Sequence, residues 1–413
     1  MEKKMKKNLV LLTILITLVL CGCVSENCNC DDGLNSATDA DSKAPNGSND
    51  SGTTTNEDFV SIPFELSNVN LDKLPASTMK DLIFAGDKCN YAEINTDLCT
   101  VICLDIPESA CVIATQGDGS EVAVLFAKKF SIDENIKVEI KGDRPLIIIA
   151  GGDVDIKGSL RALDTIYNKN GEAGGYSNPA MSEVADGLGA GGGGGSYNSA
   201  GAGGGAYCGA GGSGGAAEDS TISPKNGGPV WGTAAIVPLK GGSSGGKREI
   251  GSAGAGGGAV QIVSAQSINV YKLGSISMPG NGGRANAGHG AGSGGAILLE
   301  APVISIAGVL AVNGGGGGGA DLHANGLAGF ASDLPASGGV TDNAANGGAG
   351  SAAEVIKGGD GDDFKILTSG GGGGGGAGWI RINTSDGTAD ITGIISPSMS
   401  TSCASIGTIT TSS

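Results

Sequence analysis

The chain of 413 residues has few aromatic, basic and histidine side chains. Aromatic residues make up 4% of it, and there are only two histidines. Platforms that stack against sugar rings are built from aromatic side chains, so this composition argues against a deep glycan-binding groove. The 25 basic residues are outnumbered by 42 acidic ones, which gives a net charge of −17. Because an acidic chain repels nucleic acid and anionic lipid surfaces, we expect no nucleic-acid partner.

A long apolar segment is also missing. The apolar run LVLLTILITLVL, Leu9–Leu20, covers twelve residues, whereas a membrane-spanning helix needs about 20. Because the run follows the basic start MEKKMKKN, it predicts a secretory signal peptide over residues 1–22. The small-x-small cleavage site is replaced by LCGC, Leu20–Cys23, which resembles the lipobox of bacterial lipoproteins. The resemblance implies cleavage between Gly22 and Cys23 and a lipid on Cys23.

The residues around the lipobox indicate where the protein is delivered. Cys21 is the weaker lipidation candidate, because the bulky Leu20 would precede it. Position 24 is Val and not Asp, which resembles lipoproteins forwarded to the outer membrane. We therefore expect a lipid-anchored protein of the bacterial outer membrane that faces the cell surface or the periplasm. Loss of residues 1–22 removes four lysines and one glutamate, and the net charge falls from −17 to −20. Divalent cations and neutral or basic surface polymers are the compatible partners, so we expect a surface polysaccharide or a surface protein as partner besides the membrane.

Residues 23–58 are rich in Asp, Asn, Ser, Thr and Gly and nearly free of large apolar side chains. Such a segment cannot bury enough surface to offset its ordering entropy, so it predicts a disordered acidic tether. Its aspartates do not follow the spacing of a twelve-residue calcium loop.

Eight cysteines remain after Cys21 and Cys23. An even number in an oxidising compartment predicts disulfides. We expect a disulfide-bearing capping region over residues 59–120, where four cysteines lie close enough in sequence to pair and three connectivities stay open: Cys89, Cys99, Cys103 and Cys111. Zinc is the competing interpretation, but no CxxC pair and no nearby histidine support it. The other four are Cys28, Cys30, Cys208 and Cys403.

Glycine is concentrated in one part of the chain, where 65 of the 79 glycines lie between Gly171 and Gly378. Apolar segments between and beside the glycine blocks resemble one another. An alignment places Ile156 on Ile306 and Leu160 on Leu310, and a second places Phe130 on Val154, Ile132 on Ile156 and Ile136 on Leu160. The five copies begin with VAVLFAKKF at Val122, LIIIAGGDV at Leu146, GGAVQIVSA at Gly257, ILLEAPVIS at Ile297 and GWIRINTSD at Gly378.

Each copy contains two or three short runs of alternating apolar and polar residues, separated by turns marked by Gly, Pro or Asp. This period predicts several strands per copy. A unit of about 24 residues cannot cover its own apolar face, but stacked copies bury a continuous column. We therefore predict an all-β chain in which residues 121–413 form a right-handed parallel β-helix, a solenoid of the pectin-lyase type.

The glycine blocks all fall between the end of one copy and the start of the next. They are predicted to be insertions at one corner of the column, either mobile or packed backbone on backbone as polyproline-II-like segments. We favour partial order, because aromatic and apolar side chains accompany the runs: Tyr176, Tyr197, Tyr207, Trp231 and Phe330.

The segments RPLIIIAGGDVDIKGSLRALD, GGAILLEAPVISIAGVLAVNGGGGGG and GGAGWIRINTSDGTADITGIISPS resemble a group of glycine-rich, predicted surface lipoproteins of bacteria. The resemblance covers residues 59–413 and implies a parallel β-helix behind a lipobox and an acidic tether. No activity is assigned to this group, so the resemblance supplies no catalytic residues.

Several short motifs are explained by composition. GGSSGGKR, Gly241–Arg248, is one residue short of a phosphate-binding loop and lacks the helix that must follow it. GGSGG, Gly211–Gly215, matches a nucleophile elbow by letter, without the strand-to-helix turn that the elbow needs. GGDGDDFKI, Gly358–Ile366, resembles a single calcium-binding nonapeptide without tandem copies. We predict no cofactor, with calcium at Asp360, Asp362 or Asp363 as the alternative.

The enzyme hypothesis comes from the fold, since many parallel β-helices cleave polysaccharides with carboxylates on one face. The letters NTD, GHG, DD and RIN resemble the polygalacturonase set, but they occur in the wrong order and Asn383 replaces a lysine. No catalytic residue is therefore assigned. We predict a non-enzymatic surface protein with a structural or adhesive role. The alternatives are an extracellular polysaccharide-binding module, favoured by exposed Tyr and Trp along a groove, and a lyase or hydrolase, favoured by an in-register carboxylate cluster.

Overall fold

The computed structural model describes eleven stretches of the chain: residues 61–74, 79–86, 89, 91–162, 172–179, 184–196, 199–219, 221–248, 251–285, 288–365 and 369–411. The predicted signal peptide (1–22) and tether (23–58) lie outside them, as do Cys28, Cys30 and Tyr197. The described chain is all-β, and its helices are two 3-10 turns, Leu71–Lys73 and Glu108–Ala110.

Five strands precede the first sequence repeat. They are β1 (Phe64–Glu65), β2 (Leu82–Phe84), β3 (Ala92–Asn95), β4 (Thr100–Ile102) and β5 (Cys111–Thr115).

The five repeats each form three strands. The first two repeats form β6 (Glu121–Ala127), β7 (Phe130–Ile132), β8 (Lys137–Lys141), β9 (Leu146–Ala150), β10 (Val154–Ile156) and β11 (Ser159–Ala162). The next two form β12 (Ala259–Ser264), β13 (Ser267–Val270), β14 (Ser275–Ser277), β15 (Ala296–Glu300), β16 (Val303–Ile306) and β17 (Val309–Ala311). The last forms β18 (Trp379–Thr384), β19 (Asp390–Ile391) and β20 (Ile394–Ser396), and β21 (Ala404–Thr408) and β22 (Thr410–Thr411) follow it.

Every repeat contributes one strand to each of three sheets. Sheet I has the order β2-β7-β10-β13-β16-β19, sheet II the order β4-β3-β8-β11-β14-β17-β20, and sheet III the order β5-β6-β9-β12-β15-β18-β21. All neighbours in these sheets pair in parallel except β3 with β4 and β5 with β6. Successive repeats are therefore stacked in register, and the three sheets together form what we call the strand column.

The register follows the alignment of the repeats in sheet I. Phe130 pairs with Val154, and Ile132 pairs with Ile156, as the sequence predicts. Ile156 continues through β13 to Ile306. These side chains are fully or almost fully buried, so the predicted columns of apolar residues lie inside the strand column.

One predicted pairing is wrong. Leu160 pairs with Val138 and not with Ile136. The turn between β7 and β8 holds four residues, 133–136, whereas the equivalent turn after β10 holds two, 157–158. The two additional residues shift the second half of the first repeat, and a gapless alignment cannot show this.

The capping region 59–120 is joined directly to the strand column. Its strands β2 and β3 pair with β7 and β8, so sheets I and II begin before residue 121. Its four cysteines form two disulfides, Cys89–Cys103 and Cys99–Cys111, which selects one of the three connectivities that the sequence left open. The predicted boundary at residue 121 therefore does not divide the sheets.

The central strands of sheet III, β6, β9, β12 and β15, are buried on both faces. One face lines the interior of the column, and the other is covered by residues 61–74 together with 231–239. Residues 61–74 cross the strands, and β1 at their start pairs antiparallel with β22 near the end of the chain.

A row of polar side chains fixes this cover to sheet III. Glu300 is 1% exposed and accepts hydrogen bonds from Ser67, Gln261 and Asn383. Asn68 donates to Gln261 at 3.1 Å. Because a buried carboxylate is costly unless it is hydrogen-bonded, this row also specifies where the covering segment lies.

The glycine-rich insertions form a second core that is built mainly from backbone. They occupy residues 163–258, 278–295 and 312–378, each between the third strand of one repeat and the first strand of the next, as predicted. Their described residues run back and forth as extended segments that are joined by backbone hydrogen bonds, and we call this assembly the glycine bundle. The described residues of the bundle are packed backbone on backbone, which is one of the two predicted arrangements.

The run Gly370–Gly378 lies at the centre of the bundle. Its nine N–H groups donate to three neighbouring segments with a period of three residues, at N···O distances of 2.7 to 2.9 Å. Gly370, Gly373 and Gly376 donate to carbonyl groups of residues 199–205. Gly371, Gly374 and Ala377 donate to residues 356–362, and Gly372, Gly375 and Gly378 donate to residues 312–318. A period of three is that of a polyproline-II helix, which makes no internal hydrogen bonds.

The same run accepts hydrogen bonds from three further segments, 209–215, 291–294 and 348–351. It therefore has six neighbours, a number that leaves no side of the helix free. A β-carbon built on Gly374 would lie 1.9 Å from the Ala349 carbonyl oxygen. None of the glycines 370–376 has a left-handed φ, so glycine is required here for space and not for conformation.

Candidate functional site: the cleft at the base of the glycine bundle

The calcium candidates are used for other contacts. Asp360 accepts from the Ser213 N–H and pairs with Lys357, and Asp363 accepts from the Ala216 N–H. Asp362 pairs with Lys365. Within the described part of the chain, no group of three or more His, Cys, Asp or Glu residues could hold a metal ion. The lipidation site at Gly22 and Cys23 lies outside that part.

The residues of the polygalacturonase-like motifs lie on separate structural elements. Asn95 ends β3 in sheet II, and Asn383 lies on β18 in sheet III beside Glu300. His289 is fully buried in the glycine bundle, where its Nδ1 accepts the Arg248 N–H at 3.2 Å. These residues belong to different sheets and to the bundle, and each already serves local packing.

Sheet II carries an in-register pair of carboxylates on its outer face. Glu93 and Glu139 are partners on β3 and β8, and the Tyr91 hydroxyl donates to both, at 2.6 and 3.5 Å. Each carboxylate is also paired with a cation, Glu93 with Lys141 and Glu139 with Arg161, both at 2.6 Å.

The cation and the hydroxyl group beside Glu93 determine its pKa. Burial raises the pKa of Glu93, but hydrogen bonds from Lys141 and Tyr91 outweigh burial, and the net shift is downward. The Glu93 hydrogen bond in turn raises the pKa of Lys141. A general acid needs a carboxyl pKa raised towards neutrality, and the pKa of Glu93 is shifted in the opposite direction.

A cleft of about 650 Å³ lies where the end of sheet II, the start of sheet III and the glycine bundle meet. Its walls combine polar and apolar side chains from segments far apart in sequence. They include Asp97, Ser120, Glu121, Asp143, Arg144, Pro145, Tyr176, Ser177, Leu188, Leu239 and Lys240. Concave sites of mixed lining in this size range are where small ligands usually bind.

Ion pairs fix the polar wall. Arg144 contacts Asp97 at 3.1 Å and Glu121 at 2.8 Å. The Asp143 N–H also donates to the Asp97 carboxylate. The guanidinium therefore spans two turns of the chain and holds their side chains at the mouth of the cleft.

Lys240 also lines the cleft and pairs with Asp118 at an N···O distance of 2.6 Å. This hydrogen bond, together with those from the Ser120 hydroxyl and N–H, lowers the pKa of Asp118 to about 2. The Lys240 carbonyl accepts the Tyr207 hydroxyl at 2.9 Å, so Lys240 is also held by the aromatic cluster of the bundle.

The pKa of Asp118 predicts how this connection responds to acid. Its folded-state pKa is lowered, so the stability it contributes is present above about pH 4 and is lost as the pH falls towards about 2. An exposed pair is worth up to about 1 kcal/mol. We expect Asp118→Asn to lower the free energy of unfolding by that amount at pH 6 and by almost nothing near pH 2. Urea denaturation at both values tests this, and a difference that does not depend on pH would contradict it.

An aromatic cluster supports the third wall. Tyr176 meets the Trp231 ring edge-on, with centroids 6.0 Å apart, and Trp231 packs on Tyr207 at 4.5 Å. The Trp231 indole N–H donates to the Ala206 carbonyl, and Trp379 donates to the Trp231 carbonyl. Four of the chain's few aromatic rings are thus connected in one cluster, of which Tyr176 lines the cleft.

Sequence reasoning identified only part of this site. Tyr176, Tyr207 and Trp231 were expected to anchor the glycine runs, and they do. Glu121, Arg144 and Lys240 carried no motif, and only the fold brings them together. Comparisons of the chain with protein-family models, with curated proteins and with solved structures found no match. Of the helices in the described residues, none is long and apolar enough to cross a membrane.

Proposed function

We propose that the chain is a lipid-anchored bacterial surface protein with a structural or adhesive role, and that its strand column is a right-handed parallel β-helix. The stacking of one strand per repeat in each of three sheets supports this architecture. The lipobox-like LCGC, Leu20–Cys23, supports the anchor and the outer-membrane location. The resemblance to glycine-rich surface lipoproteins points to the same location.

The glycine bundle is the observation that carries the structural role. Nine residues of polyproline-II helix extend about 28 Å, and the central run of this length is hydrogen-bonded on six sides. The Cys208–Cys403 disulfide ties the bundle to the segment just before β21. Such an assembly is a closely hydrogen-bonded body beside the strand column that exposes its connecting loops, as an adhesive or spacer element requires.

Lipidation is the first property to test. We expect Cys23→Ser to abolish incorporation of radiolabelled palmitate and to move the protein from the membrane fraction to the soluble fraction. Cys21→Ser is the matched control, because it removes the neighbouring thiol and is expected to leave both properties unchanged. If only Cys21→Ser loses the label, the lipid is on Cys21. If neither the wild type nor Cys21→Ser incorporates the label, the protein has no lipid anchor and that part of the proposal is wrong.

A second candidate function is binding of extracellular polysaccharide. The cleft at the base of the bundle favours it, because Tyr176 and several hydrogen-bonding side chains line one cavity. We propose no cofactor and no catalytic residue for either function.

A further inference from the structure

We propose that the cleft at the base of the glycine bundle binds a segment of a neutral polysaccharide, one without carboxylate or sulfate groups. This proposal rests on the second candidate function and specifies its ligand.

The cleft is held open from both sides. One side belongs to the strand column, where Arg144 ties Asp97 to Glu121. The other belongs to the bundle, where the Tyr176 N–H donates to the Gly242 carbonyl and its own carbonyl accepts the Gly256 N–H. A cavity whose walls are fixed in the free protein costs little ordering entropy on binding, and its 650 Å³ suits a short length of saccharide.

Tyr176 supplies the apolar contact that a sugar ring needs. Its half-buried side chain lines the cleft and is supported edge-on by Trp231. The indole is itself held by hydrogen bonds to the Ala206 carbonyl and the Ser243 hydroxyl. The phenol ring is therefore positioned before a ligand arrives, and aromatic rings of this kind offer a large contact area at little entropic cost.

Hydroxyl groups of a sugar would meet both acceptors and donors. Asp143 is exposed at the cleft, and within the described residues its carboxylate takes part in no hydrogen bond or ion pair. Arg144 and Lys240 add N–H donors to the same lining. A carboxylate next to cationic donors matches the alternating donors and acceptors of vicinal hydroxyls.

The charge of the cleft selects against an acidic chain. Three carboxylates line it, Asp97, Glu121 and Asp143, against two cations. Both cations are already paired, Arg144 with two of these carboxylates and Lys240 with Asp118. A uronate or sulfate would therefore meet net negative charge and would have to break an existing ion pair, whereas a neutral chain meets neither cost.

The test uses the full, detergent-solubilised lipoprotein and isothermal titration calorimetry. The probes are cellohexaose and chitohexaose as neutral chains and a polygalacturonate oligomer as the acidic chain. We expect at least one neutral chain to bind and the acidic chain to bind at least tenfold more weakly. Tyr176→Ala and Asp143→Ala are each expected to weaken binding at least tenfold. Tyr271→Ala, which removes an exposed tyrosine outside the cleft, should leave it unchanged.

Two comparisons keep this result interpretable. Tyr176→Phe preserves the ring and its contact with Trp231, so it should bind within about threefold of the wild type even if Tyr176→Ala destabilises the bundle. Binding of polygalacturonate in preference to the neutral chains, binding of no probe, or full binding by Tyr176→Ala would each overturn the proposal. The Cys23→Ser experiment measures anchoring alone, so its failure and the failure of sugar binding are separate results.

Discussion

Replacing Gly374 by alanine is expected to destabilise the protein by more than about 3 kcal/mol, seen as a large fall in the melting temperature or as insoluble protein. The new β-carbon would lie 1.9 Å from the Ala349 carbonyl oxygen and 2.6 Å from its carbon. Neither group is the end of a flexible side chain. The segments can separate only by breaking hydrogen bonds of the run 370–378, which is bonded on six sides.

Gly117→Ala is the matched control for this substitution. Gly117 lies between β5 and β6, no atom comes within 4 Å of the position that its β-carbon would take, and its φ is not left-handed. The same change of one methyl group should therefore be neutral or stabilising by up to about 1 kcal/mol, because alanine restricts the unfolded chain. Thermal unfolding followed by circular dichroism compares the two. Equal melting temperatures would mean that close backbone packing is not what requires glycine in the bundle.

The strand column could be predicted to a large extent from the sequence. Period-2 runs at Val154–Ile156 and Val303–Ile306 mark strands, and their recurrence in similar segments marks parallel stacking. The gapless alignment of the first two repeats was wrong at Ile136, where the turn lengths differ. A two-residue insertion preserves the alternation of apolar and polar residues, so the sequence pattern does not show it.

The glycine bundle could be anticipated only as a possibility of backbone packing. Side chains normally tell which segments meet, and a run such as Gly370–Gly376 has none. Its neighbours are selected by the hydrogen bonds of residues far away, for example Gly373 with Ala202. The run with six neighbours is also the longest run of glycines in the chain, and this is the one sequence signal for the centre of the bundle.

The cleft could not be derived from composition. A low aromatic content gives the average density of rings and not their distribution, and the fold places Tyr176, Tyr207, Trp231 and Trp379 together. Arg144 joins Asp97 and Glu121 only because β3, β6 and β9 are adjacent to the same corner of the column. A site assembled by such long-range pairing has no local motif.

Removal of the Cys208–Cys403 disulfide is expected to lower the free energy of unfolding more than removal of either N-terminal disulfide. It joins residues 195 apart in sequence, whereas Cys89–Cys103 joins residues 14 apart. Loop-closure entropy alone gives about 5 kcal/mol for the long loop and about 3 kcal/mol for the short one. Two double variants compare the bonds: one carries Cys208→Ala and Cys403→Ala, and the other carries Cys89→Ala and Cys103→Ala. They are matched because each bond has at least one fully or almost fully buried cysteine and neither has an exposed one.

Urea denaturation of the two double variants measures the difference, and its shape tests how the two cores are coupled. Cys208, Ala377 and Cys403 pack together where the bundle meets the column. Without the bond, the bundle remains joined to sheet III through the continuous chain from Gly378 into β18 and through the Trp379–Trp231 hydrogen bond. If these links suffice, the long-loop variant unfolds in one transition at lower urea. Two transitions would mean that the disulfide itself makes the bundle and the column one cooperative unit. Equal losses of unfolding free energy in both variants would contradict the loop-entropy argument.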